Sequence, residues 1–248
     1  MARTRHLINA PITEAVFDFR TRLPLGVDRE FLRNELSVLR ETYPEVEEAW
    51  LIEGSLAFSS ESANPLSSSS KKANGFFVRS QDGKQLAQFR FDGFTFNRLA
   101  PYTSWDAIAP EAFRLWEIYC RILKPDALYR VAVRYINHIP LPQTPVDMDD
   151  LLVSAPKVPV ELPQIPASFL TRVVVPLPMP NTHVAIVHAY NTLPAATADA
   201  ILLDLDVARN EEMGLSTDTL RPIFEQLRVF KNKAFFGSLT EGMVGRLE

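Results

Sequence analysis

Apolar and polar residues alternate along 14–23. Ala15, Phe17 and Phe19 point one way, and Glu14, Asp18, Arg20 and Arg22 the other, which predicts a strand with one buried face. Asp28 then suits a helix N-cap, with Phe31, Leu32, Leu36, Leu39 and Tyr43 at helical spacing before Pro44. A second strand is expected over 50–59. Residues 60–75, with four successive serines and two lysines, read as a mobile surface loop.

Two Asp-Gly pairs, Asp82-Gly83 and Asp92-Gly93, separate alternating runs and predict tight hairpin turns. A turn at 82–83 sets Phe76 opposite Phe89. A two-residue turn at 92–93 sets Phe91 opposite Phe94 and Phe89 opposite Phe96. Both put the aromatic pairs on one face and the polar pairs on the other, a match that a one-residue slip would destroy. Trp105, Ile108, Ala112, Leu115, Trp116, Tyr119, Ile122 and Leu123 then predict an amphipathic helix over 105–123, capped at Ser104 or Thr103.

The second half opens on a strand at 128–139. Val131, Val133, Tyr135, Asn137 and Ile139 share one face; Arg130, Arg134 and His138 share the other. A short helix at 147–153, a proline-rich connection at 156–166, strands at 168–176, 183–190 and 200–208, and a long closing helix follow. Leu203, Leu205 and Val207 alternate with Asp204, Asp206 and Ala208. The helix stripe includes Leu220, Phe224, Leu227 and Phe235 behind Ser216 or Thr217.

The chain also echoes itself. Phe17-Asp-Phe-Arg-Thr-Arg-Leu-Pro-Leu25 is paralleled by Val133-Arg-Tyr-Ile-Asn-His-Ile-Pro-Leu141, each leading to a Val-Asp pair at 27–28 and 146–147. Element order in each half is strand, helix, antiparallel meander, helix. The expectation is an α+β protein, 1–125 and 126–248 forming two half-repeats of one joint domain with helices on one face of a single sheet. This order resembles the TATA-binding-protein-like topology, an analogy that carries no function.

Composition narrows the partners. Residues 1–124 carry 16 basic and 16 acidic side chains, and residues 125–248 carry 10 and 14. Neither half has the basic excess of a dedicated nucleic-acid binder. The single cysteine, Cys120, reads as a buried small hydrophobe. With no signal peptide and no apolar run of membrane-spanning length, a cytoplasmic location is expected.

Catalytic signatures, cofactor fingerprints and metal-ligand spacings are absent from the sequence, so no catalytic residue, cofactor or metal is expected. The informative feature is the polar sheet face. Arg20, Arg22, Arg90, Arg130, Arg134 and His138 fall on it, with Asp204 and Asp206. Arginine suits carboxylate, phosphate and protein-interface recognition; a merely solvated face of cross-strand ion pairs is the plain alternative.

Asn9-Ala-Pro-Ile-Thr-Glu-Ala15, Pro101-Tyr-Thr-Ser-Trp105 and Arg134-Tyr-Ile-Asn137 together resemble an uncharacterised, sporadically distributed prokaryotic family. Its members open on Asn-Ala-Pro-Ile-x-Glu-Ala and carry a central Arg-Tyr-Ile-Asn strand. The resemblance implies no activity; its sporadic distribution suits an accessory gene in a defence or toxin–antitoxin setting. Physically the motifs read as structure. Asn9 and Pro11 set the entry to the first strand, and Glu14 pairs with a sheet-face arginine such as Arg134. Asn137, beside Tyr135 on the apolar side, needs an internal partner.

The leading expectation is a non-enzymatic regulatory protein that binds a protein partner, a homodimer included. The alternative is an enzyme or sensor taking an anionic small molecule or nucleotide on the arginine-rich face. Nucleic-acid binding comes third, because acidic residues at 204 and 206 would repel phosphate.

Overall fold

The computed structural model describes residues 7, 9–57, 66–141, 147–164, 166–191 and 200–248. Among the described residues nine strands form one antiparallel open sheet: β1 (Ile12–Arg22), β2 (Glu45–Ala57), β3 (Leu66–Arg79), β4 (Gln85–Arg90), β5 (Gly93–Leu99), β6 (Ala127–Pro140), β7 (Ser168–Pro176), β8 (Thr182–Asn191) and β9 (Ala200–Arg209). Their spatial order is β2-β3-β4-β5-β1-β6-β9-β8-β7. The helices are α1 (Arg29–Glu35), α2 (Trp105–Leu123), α3 (Thr217–Ser238) and α4 (Glu241–Leu247). The protein is thus α+β, with helices packed on one sheet face. Among the described residues no helix is long and apolar enough to cross a membrane.

The predicted caps form. Asp28 accepts from the Phe31 amide and Ser104 from the Ala107 amide. Ser216 caps α3 through the Asp218 amide. Alternation along β1, β5 and β6 sends Phe17, Phe19, Phe94, Phe96, Val133 and Tyr135 under the helices, all essentially solvent-free. Burying each such aromatic contributes about 1.5–3 kcal/mol. Phe19 stacks on Trp116 of α2 at 4.4 Å and Phe17 on Trp105 at 4.7 Å. Phe224 of α3 reaches both, 4.9 Å from Phe19 and 5.4 Å from Phe17. The closing helix of the second half therefore packs on the opening strand of the first. A second cluster, including Ile139, Leu203, Phe235 and Met243, fills the space under α3 and α4.

Four expectations need correction. Residues 66–75 are strand rather than loop: the serine run continues β3 and pairs with β2, Ser70 opposite Glu53. Backbone ladder bonds need no apolar side chain, so composition hid this arm; 58–65 lie outside the described residues. The β4–β5 turn has two residues as expected but lies at 91–92 rather than 92–93, which shifts the pairing by two and sets Phe89 opposite Phe94 and Ala87 opposite Phe96. Gly93 is not a turn residue but the first residue of β5, at φ 149°. A Cβ there would stand 2.1 Å from the Phe19 carbonyl oxygen, so this glycine allows β1 and β5 to approach. An even slip preserves the faces, and the Phe76–Phe89 register is as expected. The helix expected at 147–153 is one 3-10 turn, Met148–Asp150, and α4 was not foreseen. Asp147 satisfies the 3-10 turn by accepting from the Asp149 amide.

Candidate functional site

Antiparallel pairing of β1 with β6 at the sheet centre places Asp18, Arg20, Arg130 and Arg134 together on the face away from the helices. Asp18 is the hub. Its carboxylate accepts from Arg130, from Arg90 at 3.3 Å, from Arg20 at 3.2 Å and from the Thr95 hydroxyl at 3.2 Å. Arg130 also holds Asp206 at 2.8 Å, and Arg20 holds Asp92 at 2.7 Å. Arg134 grips Asp204 through two nitrogens, at 2.9 and 2.6 Å. That fork is the larger cause raising the Arg134 pKa. Burial raises the Asp206 pKa, and Asp18 and Asp204 add to it against the pull of Arg130 and Arg134.

All of these groups except Asp92 and Asp204 line a depression of about 350 Å³, together with Val16 and Ile136. Of the candidate residues, Arg20, Arg90, Arg130, Arg134 and Asp206 meet here, and Arg22, His138 and Asp204 do not line the depression. Every candidate arginine in the depression already has a carboxylate, so the face is a self-neutralised lattice rather than a cationic cradle. Glu14 does not pair with Arg134; it accepts from the Asn97 amide, because Asp204 on β9 lies opposite Ile136 and captures that arginine. His138 is exposed beyond Ile136, opposite Leu202, and is not among the lining residues; Arg22 is exposed at the end of β1. No acid–base constellation of Arg134, His138, Asp204 and Asp206 forms. Among the described residues no group of three His, Cys, Asp or Glu is poised to hold a metal.

The same face turns apolar beyond Asp204 and Asp206. Strand register carries Leu170 and Val174 of β7 and Val187 of β8 onto it. Leu170 is 73% exposed and Val174 44%. Arg172 sits between them, beside a smaller hollow shared with Arg134, Asp204 and Val187. The sequence predicts a strand over 168–176 but not the exposure of this end of it.

The family-like segments converge elsewhere. Asn9, Pro11, Tyr102, Trp105 and Asn137 line a separate cavity of about 500 Å³ on the helix side. The Asn9 amide donates to the Leu247 carbonyl at 3.1 Å, and the His138 amide donates to the Pro11 carbonyl at 2.8 Å. Asn137, fully buried, donates to the Leu203 carbonyl at 2.9 Å and the Tyr135 carbonyl at 3.2 Å. Tyr135 meets Tyr102 hydroxyl to hydroxyl at 3.3 Å, and burial raises its pKa well above the usual value.

Compared with known proteins, the chain matches no family model, no curated protein and no solved structure.

Proposed function

We propose that this is a non-enzymatic accessory protein whose open sheet face receives a protein partner. The carrying observation is the charge-paired lattice running into the exposed apolar end formed by Leu170 and Val174. Protein interfaces combine an apolar centre with polar groups of both signs. Phosphate would have to displace Asp18, Asp204 and Asp206 from their arginines, so the pairing weighs against a nucleotide or nucleic acid on this face. The partner's surface would present its own apolar patch flanked by charges of both signs.

The same reading takes the halves as tandem copies in a TATA-binding-protein-like arrangement. Support comes from the strand order: each meander joins its own opening strand through its last strand, and the opening strands β1 and β6 meet at the centre. Membership of the sporadic family follows from the three motifs and suggests a partner encoded next door.

Co-sedimentation with the product of the adjacent gene tests the reading, using the wild-type chain and a Leu170→Asp, Val174→Asp double variant with an unchanged circular dichroism spectrum. The wild type is expected to carry the partner and the variant to lose it. Equal retention by both overturns the face assignment. Self-association lost in the variant makes the occupant a second copy of this chain.

A further inference from the structure

Lys231 of α3 is nine-tenths buried, yet among the described residues it has no carboxylate partner. Its ammonium lies over the Tyr135 ring, 3.9 Å from the centroid, a cation–π contact that replaces only part of the lost hydration. A buried cation without a counterion is costly enough that natural chains rarely keep one. This one lines the 500 Å³ cavity, together with Arg228.

The remaining walls share one character. Among the described residues no acidic side chain lines the cavity. The N-terminal turn of the 19-residue helix α2 forms one side through Ser104 and Trp105, where backbone amides favour negative charge. Arg228 is half-committed, 3.2 Å from Glu225 and 3.8 Å from Asp106, with its guanidinium 5.2 Å from the Trp105 ring centre. Glu225 also receives the Trp105 indole N–H, which fixes that ring. Tyr102, Trp105, Phe235 and Phe236 supply flat apolar surface. Asn137 leaves its Oδ1 buried and without a partner, an acceptor awaiting an O–H or N–H.

We propose that this cavity binds a small organic anion: a carboxylate or phosphate on an apolar, ring-sized body bearing a hydroxyl or N–H. The anionic group meets Lys231 and the head of α2, the ring lies among Tyr102, Trp105 and Phe236, and the donor reaches Asn137. The volume suits a ligand of that size. The site is distinct from the sheet face, on the opposite side of the sheet.

The experiment is an NMR titration of the full chain, reading the Trp105 indole and Asn137 side-chain amide signals. The probes are 4-hydroxybenzoate, 4-hydroxyphenyl phosphate and the uncharged 4-hydroxybenzamide. Both anions are expected to shift these signals at millimolar concentration or below, and the amide to bind at least about tenfold more weakly. Lys231→Met should weaken the anions by about tenfold or more, while Lys233→Met, on the exposed side of α3, leaves binding unchanged. The proposal is overturned if neither anion moves the two signals, or if the amide binds as well as the carboxylate. Undiminished anion binding by folded Lys231→Met overturns it too. The anion-to-amide comparison stands even where that variant does not fold.

Discussion

The Lys231 ammonium stands 3.9 Å from the centre of the Tyr135 ring, joining the closing helix to the mid-chain strand. Burial, with Arg228 one turn earlier, lowers the Lys231 pKa to about 7. Tyr135 and Tyr102 are the titratable groups facing it from β6 and from the segment before α2, and burial raises both. An unfolded lysine keeps its proton to about pH 10.4. Between about pH 7 and about pH 10 the unfolded chain therefore binds a proton that the folded chain lacks, and this site makes stability rise with pH. Lys231→Met should stabilise the fold by about 1–4 kcal/mol near neutral pH. That advantage should close as pH climbs toward about 10, as read by urea denaturation at several pH values. A constant advantage would contradict the assignment.

Asp18 and Asp204 should behave differently although both pair with arginine. Asp18 is 7% exposed and answers Arg20, Arg90 and Arg130. Asp18→Asn leaves partly buried guanidiniums short of a counter-charge, so a loss of about 3–5 kcal/mol is expected. Arg134, the partner of Asp204, is half exposed, so Asp204→Asn should cost about 1 kcal/mol or less. Chemical denaturation of the two variants decides it, and equal losses would refute the hub role of Asp18.

Gly75 and Gly93 hold strand pairs close. A Cβ on Gly75, at φ 122°, would stand 2.0 Å from the Phe89 carbonyl oxygen, as close as the Gly93 approach to Phe19. Alanine at either position should cost more than about 4 kcal/mol or prevent folding. Gly83 also has positive φ but nothing within 4 Å, so Gly83→Ala should cost about 1–2 kcal/mol. Thermal unfolding midpoints should rank the three accordingly.

Cys120 should be chemically quiet. Burial, with Glu117 nearby, pushes its thiol up to about 12, and the thiolate is the reactive form. Modification by a disulfide reagent near neutral pH should therefore be much slower in the native protein than in the unfolded chain, and accelerate sharply in denaturant. Rapid labelling of the native protein would contradict this environment.

Much of the fold was legible because period-2 patterns recur where a helix covers one face. Phe17 and Phe19 on β1, and Leu203 and Leu205 on β9, announced both strand and orientation. Asp28, Ser104 and Ser216 announced helix starts through side-chain chemistry that acts within three residues. What escaped depends on partners distant in sequence. Gly93 looked like a turn until Phe19 came beside it. Arg134 looked like the partner of Glu14 until β9 brought Asp204. Lys231, Tyr135 and Asn137 gave no local sign of a shared cavity, because each alone is an ordinary helix or strand residue. The Asn-Ala-Pro-Ile, Pro-Tyr-Thr-Ser-Trp and Arg-Tyr-Ile-Asn motifs were visible as words, and their common wall was not.

The central pairing of β1 with β6 also bears on how the chain is made. Asp18 lies opposite Ala132, and Val16 opposite Arg134. β1 leaves the ribosome several seconds before residues 127–140 emerge, at about 5–20 residues per second. During that interval β1 can dock on β5 but exposes its other edge, and Phe17 and Phe19 await Phe224. Nascent first halves on one polysome thus offer one another the strand edge meant for their own second halves, and a chain truncated near residue 125 is expected to aggregate rather than persist as a soluble half.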